Sequence, residues 1–180
     1  MKTKGHLKTQ DLAYISLAVA LITVCSWISI QTAIPFTMQT FAVFTVVGLL
    51  GTYRGMLAVV IYILLGAVGV PVFSGFSGGI GVLFRTTGGY IVGFIFMTLI
   101  TGTVIKYFGK KIWIMAFGML LGLFVLYAFG TAWFMVLYAR ENGAVGLAAA
   151  LSWCVVPYII PDCLKIALAI LVTKRVGKVL

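Results

Sequence analysis

Acidic residues are scarce in this chain of 180 residues, which has only three of them, Asp11, Glu141 and Asp162. Charged residues of both signs make up 9% of the sequence, whereas about 25% is usual for a soluble globular domain. Apolar residues make up 63%, which is too many for a chain of this length to cover with a polar surface. These values exclude a soluble enzyme, a disordered regulator and a secreted disulfide scaffold. The composition predicts an integral membrane protein with a single domain over residues 1–180.

Residues that hold metals and nucleotides are also few. Cys25, Cys154 and Cys163 are odd in number and lie apart in apolar segments, which favours buried residues over a zinc site or a disulfide. The chain has no Gly-x-x-x-x-Gly-Lys-Ser/Thr sequence, so any ATP hydrolysis is expected from another chain. It also lacks paired carboxylates and a histidine within an apolar run, which argues against an intramembrane enzyme. We therefore predict no metal, no cofactor and no catalytic residue.

Long apolar runs dominate what is present. A membrane-spanning helix needs about 20 residues, so 180 residues with short loops allow about six spans. The runs cover residues 11–33, 37–52, 55–69, 86–107, 112–138 and 161–175, with a further apolar stretch at 144–156. Gly51 to Gly55 is expected to form a tight turn between the second and third runs. The sequence thus predicts an all-α protein with six transmembrane helices.

The net charge of +10 is distributed unevenly between the two sides that six spans define. Basic residues are concentrated on the side of the two termini, which predicts that both termini are cytoplasmic. The residues on that side are Lys2, Lys4, Lys8, Arg54, Lys106, Lys110, Lys111, Lys174, Arg175 and Lys178. The positive excess is therefore interpreted as an orientation signal in a multi-pass protein, and nucleic acid is not expected as a partner.

Asp162 and Lys165 are the charges that this pattern does not explain, because they lie within the last apolar run. They are three residues apart, so both side chains fall on one helical face. Ionisable groups within a span usually face a cavity or a partner. An alternative is an ion pair within the helix, with Lys165 extending its side chain to the membrane surface.

Two irregular segments on the outer side predict the walls of a binding site. One is 157–161, where two prolines interrupt the helix before Asp162. The other is the glycine-rich segment 66–89, which contains Phe73, Phe76 and Arg85. Irregular backbone at membrane depth is tolerated where it lines a cavity. An Asp beside a Lys suits a urea or amide edge, and a separate Arg suits a carboxylate. The residues thus favour a small ligand with a neutral polar head and a carboxylate.

Several motifs in this order resemble the BioY family, the biotin-specific substrate-binding subunits (S components) of energy-coupling-factor (ECF) transporters. They are Ile-Pro-Phe-Thr-Met-Gln-Thr-Phe at 34–41, Tyr-Ile-Leu-Leu-Gly-Ala-Val-Gly-Val-Pro-Val-Phe at 62–73, Thr-Gly-Gly-Tyr at 87–90 and Pro-Asp-Cys-Leu-Lys at 161–165. The resemblance implies a six-helix fold in a bacterial or archaeal cytoplasmic membrane that binds biotin on its outer side. It also implies partners for uptake, namely a transmembrane coupling subunit and two ATPases.

The resemblance carries individual residues over as well. Asp162 and Lys165 become the expected partners of the biotin ureido group, and Gln39, Phe73 and Tyr90 match motif positions. Arg85 replaces a position in the family's usual Gly-Pro-Thr-Gly-Gly-Tyr sequence, so its assignment to the biotin carboxylate rests on charge, and a structural role remains the alternative.

The resemblance also implies a docking face for the coupling subunit, because related subunits often carry an Ala-x-x-x-Ala motif on their first helix. The nearest equivalents here are Ala13, Ser16 and Ala20, whose small side chains would let a partner helix approach closely. An S component for a different carboxylated vitamin, and a structural membrane subunit, remain alternatives for the whole chain.

Overall fold

The computed structural model describes residues 8–30, 32 and 34–178, with the side chain of Glu141 excepted. Lys2 and Lys4, two of the orientation lysines, lie outside the described residues. The helices are α1 (Thr9–Trp27), α2 (Gln39–Ala67), α3 (Ile80–Leu83), α4 (Gly88–Phe108), α5 (Ile112–Asn142), α6 (Leu147–Cys154) and α7 (Ile159–Val176). Two short strands, β1 (Ser29–Ile30) and β2 (Phe36–Thr37), pair in an antiparallel hairpin between α1 and α2.

The long helices are apolar over most of their surface, as expected where the surrounding solvent is lipid and the backbone must satisfy its own hydrogen bonds. Within the described residues, five helical segments are long and apolar enough to cross a membrane. They are Thr9–Trp27, Gln39–Ala67, Gly88–Phe108, Ile112–Arg140 and Leu147–Val176, of which the last combines α6, a 3-10 turn and α7. The protein is therefore an all-helical, multi-pass membrane protein.

Helix α2 reverses direction at Gly51, whose backbone is far from helical at φ 78° and ψ −179°. A Cβ built on Gly55 would lie 3.3 Å from the Cα of Val47, although eight residues of straight helix span about 12 Å. Further along, Gln39 hydrogen-bonds to Tyr62 at 2.6 Å. Thus α2 consists of two antiparallel arms, 39–50 and 52–67, joined where the sequence predicts a tight turn.

The first predicted span is too long. α1 ends at Trp27, and Ser29 and Ile30 belong to β1. Two side chains at the end of α1 bind the glycine-rich segment: Ser26 donates to the carbonyl of Val72, and Trp27 donates to that of Pro71 at 3.0 Å. These contacts fix the end of α1 against the segment that follows α2. An apolar run of mixed Ile and Ser has no periodicity that separates strand from helix, which explains the error.

The last helix also begins earlier than predicted. α7 starts at Ile159, so Pro161 is its third residue, and a 3-10 turn over Val156–Tyr158 holds Pro157. A proline in the first turn of a helix costs no hydrogen bond, because the N–H groups there have no partner within the helix. The irregular backbone predicted over 157–161 is thus confirmed only in part: Val155 is non-helical and Val156–Tyr158 form a 3-10 turn, whereas residues 159–161 are helical. This break is called the α6–α7 corner below.

Contacts between helix ends show which helix ends lie together at one end of the bundle. Most of the basic residues lie there, so it is called the basic end. Arg54 pairs with Asp11 at 2.6 Å, which joins the start of α1 to the α2 turn. Gly102 of α4 packs on Thr52, and Gly48 packs on Thr173 near the end of α7. The described cations at this end are Lys8, Arg54, Lys106, Lys110, Lys111, Lys174, Arg175 and Lys178. The hairpin, the glycine-rich segment and the α6–α7 corner lie at the opposite end.

Candidate ligand-binding site

A cavity of about 450 Å³ opens at the end of the bundle opposite the basic end. Its walls come from the β1–β2 hairpin, the first arm of α2, the glycine-rich segment, α4, α5 and the α6–α7 corner. The lining includes apolar, aromatic and hydroxyl side chains together with the charges of Arg85, Asp162 and Lys165. Concave, largely apolar cavities with a few polar groups are typical of small-molecule sites.

Asp162 and Lys165 form a buried ion pair in the wall of this cavity. Lys165 Nζ lies 2.8 Å from Asp162 Oδ1, and the two residues are 5% and 4% exposed. Lys165 also donates to the backbone carbonyl of Thr37 at 2.6 Å, and its ammonium lies 4.0 Å from the centre of the Phe36 ring. The ion pair within the helix, which the alternative interpretation predicted, is therefore present. The second part of that alternative, in which Lys165 extends to the membrane surface, is wrong, because its ammonium is held inside by the carbonyl of Thr37 in β2.

Two hydroxyl groups complete the surroundings of the Asp162 carboxylate. Thr40 donates to Oδ1 at 3.0 Å, and Tyr127 donates to Oδ2 at 2.6 Å. Hydrogen bonds to an ionised group are shorter and stronger than neutral ones, so these donors offset part of the cost of burying the charge. Thr40, Tyr127, Asp162 and Lys165 thus form a polar centre, which joins the first arm of α2, α5 and α7.

Sequence reasoning missed Thr40 and Tyr127. Thr40 lies inside the family motif directly after Gln39, so its position was available as a signal. Tyr127 is one of three hydroxyl side chains in run 112–138, with Thr131 and Tyr138, and the sequence does not rank them.

Gln39, Phe73 and Tyr90 all lie in the cavity wall, where the sequence places them. Gln39 is 5% exposed and donates to the hydroxyl of Tyr62 at 2.6 Å. Phe73 packs edge-on against Tyr62 with ring centres 5.5 Å apart. The hydroxyl groups of Tyr90 and Thr131 are 3.1 Å apart. These contacts hold one amide and two aromatic rings in fixed positions around the cavity.

Glycine at position 66 is what allows Phe73 to reach this wall. A Cβ on Gly66 would lie 2.0 Å from Cζ of the Phe73 ring, which is well inside van der Waals contact. The ring therefore packs directly on the backbone of the second arm of α2.

Arg85 lines the mouth of the cavity, and its side chain is exposed. Among the side chains that the structure describes, no carboxylate pairs with it. Its backbone carbonyl accepts a hydrogen bond from the indole of Trp133 at 3.2 Å, which anchors the segment to α5. The guanidinium is thus positioned at the entrance with its hydrogen-bonding groups available to a ligand.

Phe76, in contrast, is not among the lining residues. It is 64% exposed and stacks on Trp27 of α1, with ring centres 4.9 Å apart. Its backbone φ of 55° lies in the left-handed region, which a large side chain rarely adopts. The sharp turn directs its ring toward α1, so the geometry gives no support to the predicted ligand contact of Phe76.

Ala13, Ser16 and Ala20 are exposed along one face of α1, away from the cavity. The buried face of the helix carries Ile15, Val19 and other residues that pack in the core. The predicted docking face is therefore exposed in the described chain, and its role stays a prediction.

Comparisons with known proteins agree with the motifs. The model of the BioY family matches residues 1–180. The probable biotin transporter BioY of Pyrococcus horikoshii is 38% identical over 170 residues, covering 94% of this chain and 97% of the relative. The biotin transporter BioY of Thermotoga maritima is 39% identical over 160 residues, covering 88% of this chain and 90% of the relative.

A solved structure supports the same assignment at the level of the fold. The crystal structure of an S-component for biotin from an ECF-type ABC transporter superposes with a TM-score of 0.85 at 22% identity. The match covers 98% of this chain and 95% of that one, so the S-component fold is confirmed. On the family match and the two relatives, this chain belongs to the BioY family.

Proposed function

We propose that this chain captures biotin in the cavity and serves as the S component of an ECF-type transporter for its uptake. The observation that carries the proposal is the buried Asp162–Lys165 pair in the cavity wall. A buried charge pair offers an acceptor and a donor side by side, which complements the N–H and carbonyl of a ureido ring. The names of the relatives and of the solved structure support biotin as the ligand.

The remaining wall residues fit the other parts of biotin. The rings of Phe73 and Tyr90 provide apolar surface for the sulfur-containing ring and the aliphatic chain. Gln39 lies beside the polar centre and holds Tyr62 in place. Arg85 at the mouth of the cavity suits the carboxylate, which a guanidinium binds through two parallel hydrogen bonds. We assign Arg85 to the carboxylate on this basis.

The fold supports the proposed topology. Counting the two arms of α2 separately gives six spans, and the basic end is placed in the cytoplasm by the positive-inside rule. The chain then lies in a bacterial or archaeal cytoplasmic membrane with both termini on the cytoplasmic side, and the cavity opens to the outside. The 180 residues form a single substrate-binding domain.

The chain is proposed to act with partners and without catalysis of its own. Transport energy comes from the ATPase subunits through the coupling subunit, which docks on the face of α1 formed by Ala13, Ser16 and Ala20. No cofactor or nucleotide is assigned to this chain. Small side chains on that face let a partner helix approach closely.

Uptake of labelled biotin tests this proposal directly. Cells without their own biotin transporter would express the chain alone, or together with an ECF coupling subunit and its two ATPases. We expect concentrative uptake with the full set, and its loss when the ATPases are inactivated. Absence of both uptake and cell-surface biotin binding, with the protein present in the membrane, would contradict the proposal.

A further inference from the structure

We infer that Tyr127 and Thr40 are positioning residues that limit Asp162 to one ligand N–H, and thereby select a neutral ureido or amide edge over a cationic guanidinium. The inference rests on the proposed function, because it concerns how the cavity discriminates among biotin-like heads. It assigns the selectivity to hydroxyl groups that supplement the ion pair.

Counting acceptor positions on the carboxylate supports this. An ionised carboxylate accepts about four hydrogen bonds, two on each oxygen. Oδ1 already accepts from Thr40 at 3.0 Å and from Lys165 at 2.8 Å. Oδ2 accepts from Tyr127 at 2.6 Å. Of the four positions, one on Oδ2 is left for a ligand, so a fork of two N–H groups cannot engage both oxygens.

The charge balance of the site also favours a neutral ureido head over a cationic guanidinium. The positive charge of Lys165 lies 2.8 Å from Oδ1 and balances Asp162, and burial leaves little solvent to screen either charge. A neutral ureido head leaves this balance intact, whereas a guanidinium head would place a second cation beside Lys165. Like charges at short range in a site of low dielectric constant repel strongly.

The two hydroxyl donors also hold the Asp162 carboxylate in place within the cavity wall. Thr40 belongs to the first arm of α2, Tyr127 to α5, and Asp162 to α7. Donors from two other helices therefore hold the carboxylate, and all three side chains line the cavity. Removing one donor is expected both to loosen the carboxylate and to open a second acceptor position.

The experiment compares biotin with 2-iminobiotin, in which a guanidine replaces the urea and is cationic at neutral pH. Both ligands would be titrated into the purified full chain in lipid nanodiscs, as wild type and as Tyr127→Phe. Because the carboxylate loses one of the donors that hold it in place, biotin is expected to bind roughly 10-fold more weakly to the variant. Iminobiotin is expected to lose less affinity or to gain some, so the preference for biotin falls roughly 5-fold or more.

Two tyrosine controls separate selectivity from general damage. Tyr138→Phe lies in the same helix and outside the cavity lining, with its ring stacked on Phe134, and is expected to leave both affinities unchanged. Tyr90→Phe removes a cavity hydroxyl that contacts Thr131 and not Asp162, so both affinities should change by the same factor.

A second pair of variants keeps the test independent of how Tyr127→Phe folds. Thr40→Val removes a donor to Oδ1 and should also lower the ratio of biotin affinity to iminobiotin affinity. Thr40→Ser keeps the hydroxyl and should keep the ratio of the wild type. A preference that stays the same in Tyr127→Phe and Thr40→Val would overturn the inference, including the case in which iminobiotin stays undetectable throughout. Failure of the wild type to bind biotin would instead overturn the proposed function, and the inference with it.

Discussion

The two ion pairs found among the described residues lie at opposite ends of the bundle and differ in burial far more than in distance. Arg54 and Asp11 are 2.6 Å apart at the basic end, with side chains 41% and 14% exposed. Lys165 and Asp162 are 2.8 Å apart at the cavity end, with side chains 6% and 5% exposed. The two pairs therefore differ in their access to solvent and hardly in their N–O distance. The more exposed pair joins two helix ends, and the buried pair lies where a ligand can reach it.

The energetic consequence follows from desolvation. An exposed ion pair contributes about 0–1 kcal/mol, because water solvates the separated charges nearly as well. Breaking a buried pair by removing one partner costs about 3–5 kcal/mol, since the other charge is left uncompensated. The cavity pair is thus expensive to break but leaves an acceptor position that a ligand can fill.

Lys165→Met should have the largest effect, because it leaves Asp162 buried without its counter-charge. We expect a loss of about 3–5 kcal/mol in stability together with loss of measurable biotin binding. Thermal unfolding in detergent and a biotin titration would measure both effects. A variant as stable as the wild type would show that the pair is not desolvated as the structure indicates.

Asp162→Asn combined with Lys165→Met sharpens the same comparison, because it removes both charges. We expect much of the lost stability to return, since a buried pair replaced as a unit is often neutral. Biotin binding should stay absent, because the acceptor and the donor for the ureido group are gone. Recovered binding would show that the pair serves the fold and not the ligand.

Gly66→Ala is expected to have an intermediate effect at the cavity end. The new methyl group would meet the Phe73 ring, so the ring must leave its place in the cavity wall. Overpacking of this kind costs about 1–3 kcal/mol, and biotin affinity should fall as well.

The matched variant is Gly48→Ala at the basic end, where a Cβ would lie 2.6 Å from Oγ1 of Thr173. It should lower the unfolding temperature without changing biotin affinity, because it lies far from the cavity. Equal losses of biotin affinity in Gly66→Ala and Gly48→Ala would contradict the claim that only the cavity end of the bundle affects binding.

Arg54→Gln should have the smallest effect. The pair with Asp11 is partly exposed and is expected to contribute about 1 kcal/mol, and the cavity lies at the other end of the bundle. Biotin affinity is expected to equal that of the wild type in the same titration. A clear loss would show that the α1–α2 contact is coupled to the binding site.

The sequence was most informative where charge is scarce. Because charges are few, Asp162, Lys165 and Arg85 stood out, and in the structure all three line the same cavity. Phe76 was misplaced because its position near Phe73 in the chain says nothing about direction, and a positive φ turns its ring outward. Tyr127 was missed because run 112–138 holds three hydroxyl side chains, and the sequence does not show which of them reaches a carboxylate on another helix.

The order of the elements was predictable for a similar reason. Apolar runs separated by glycine, proline and lysine identify the helices, and the reversal at Gly51 needs a backbone that glycine adopts easily. The exact end of α1 was not predictable, because it depends on contacts of Ser26 and Trp27 with a segment more than 40 residues away.

Calorimetric titration of biotin into the wild type, Asp162→Asn and Asp11→Asn, each in lipid nanodiscs, tests the central claim most directly. Asp162→Asn should weaken binding roughly 10- to 100-fold, since a hydrogen bond to a buried charged group is lost. Asp11→Asn, which changes the acid of the partly exposed pair at the basic end, should bind biotin as the wild type does. Equal affinities for all three proteins would contradict the assignment of the buried pair to the ligand.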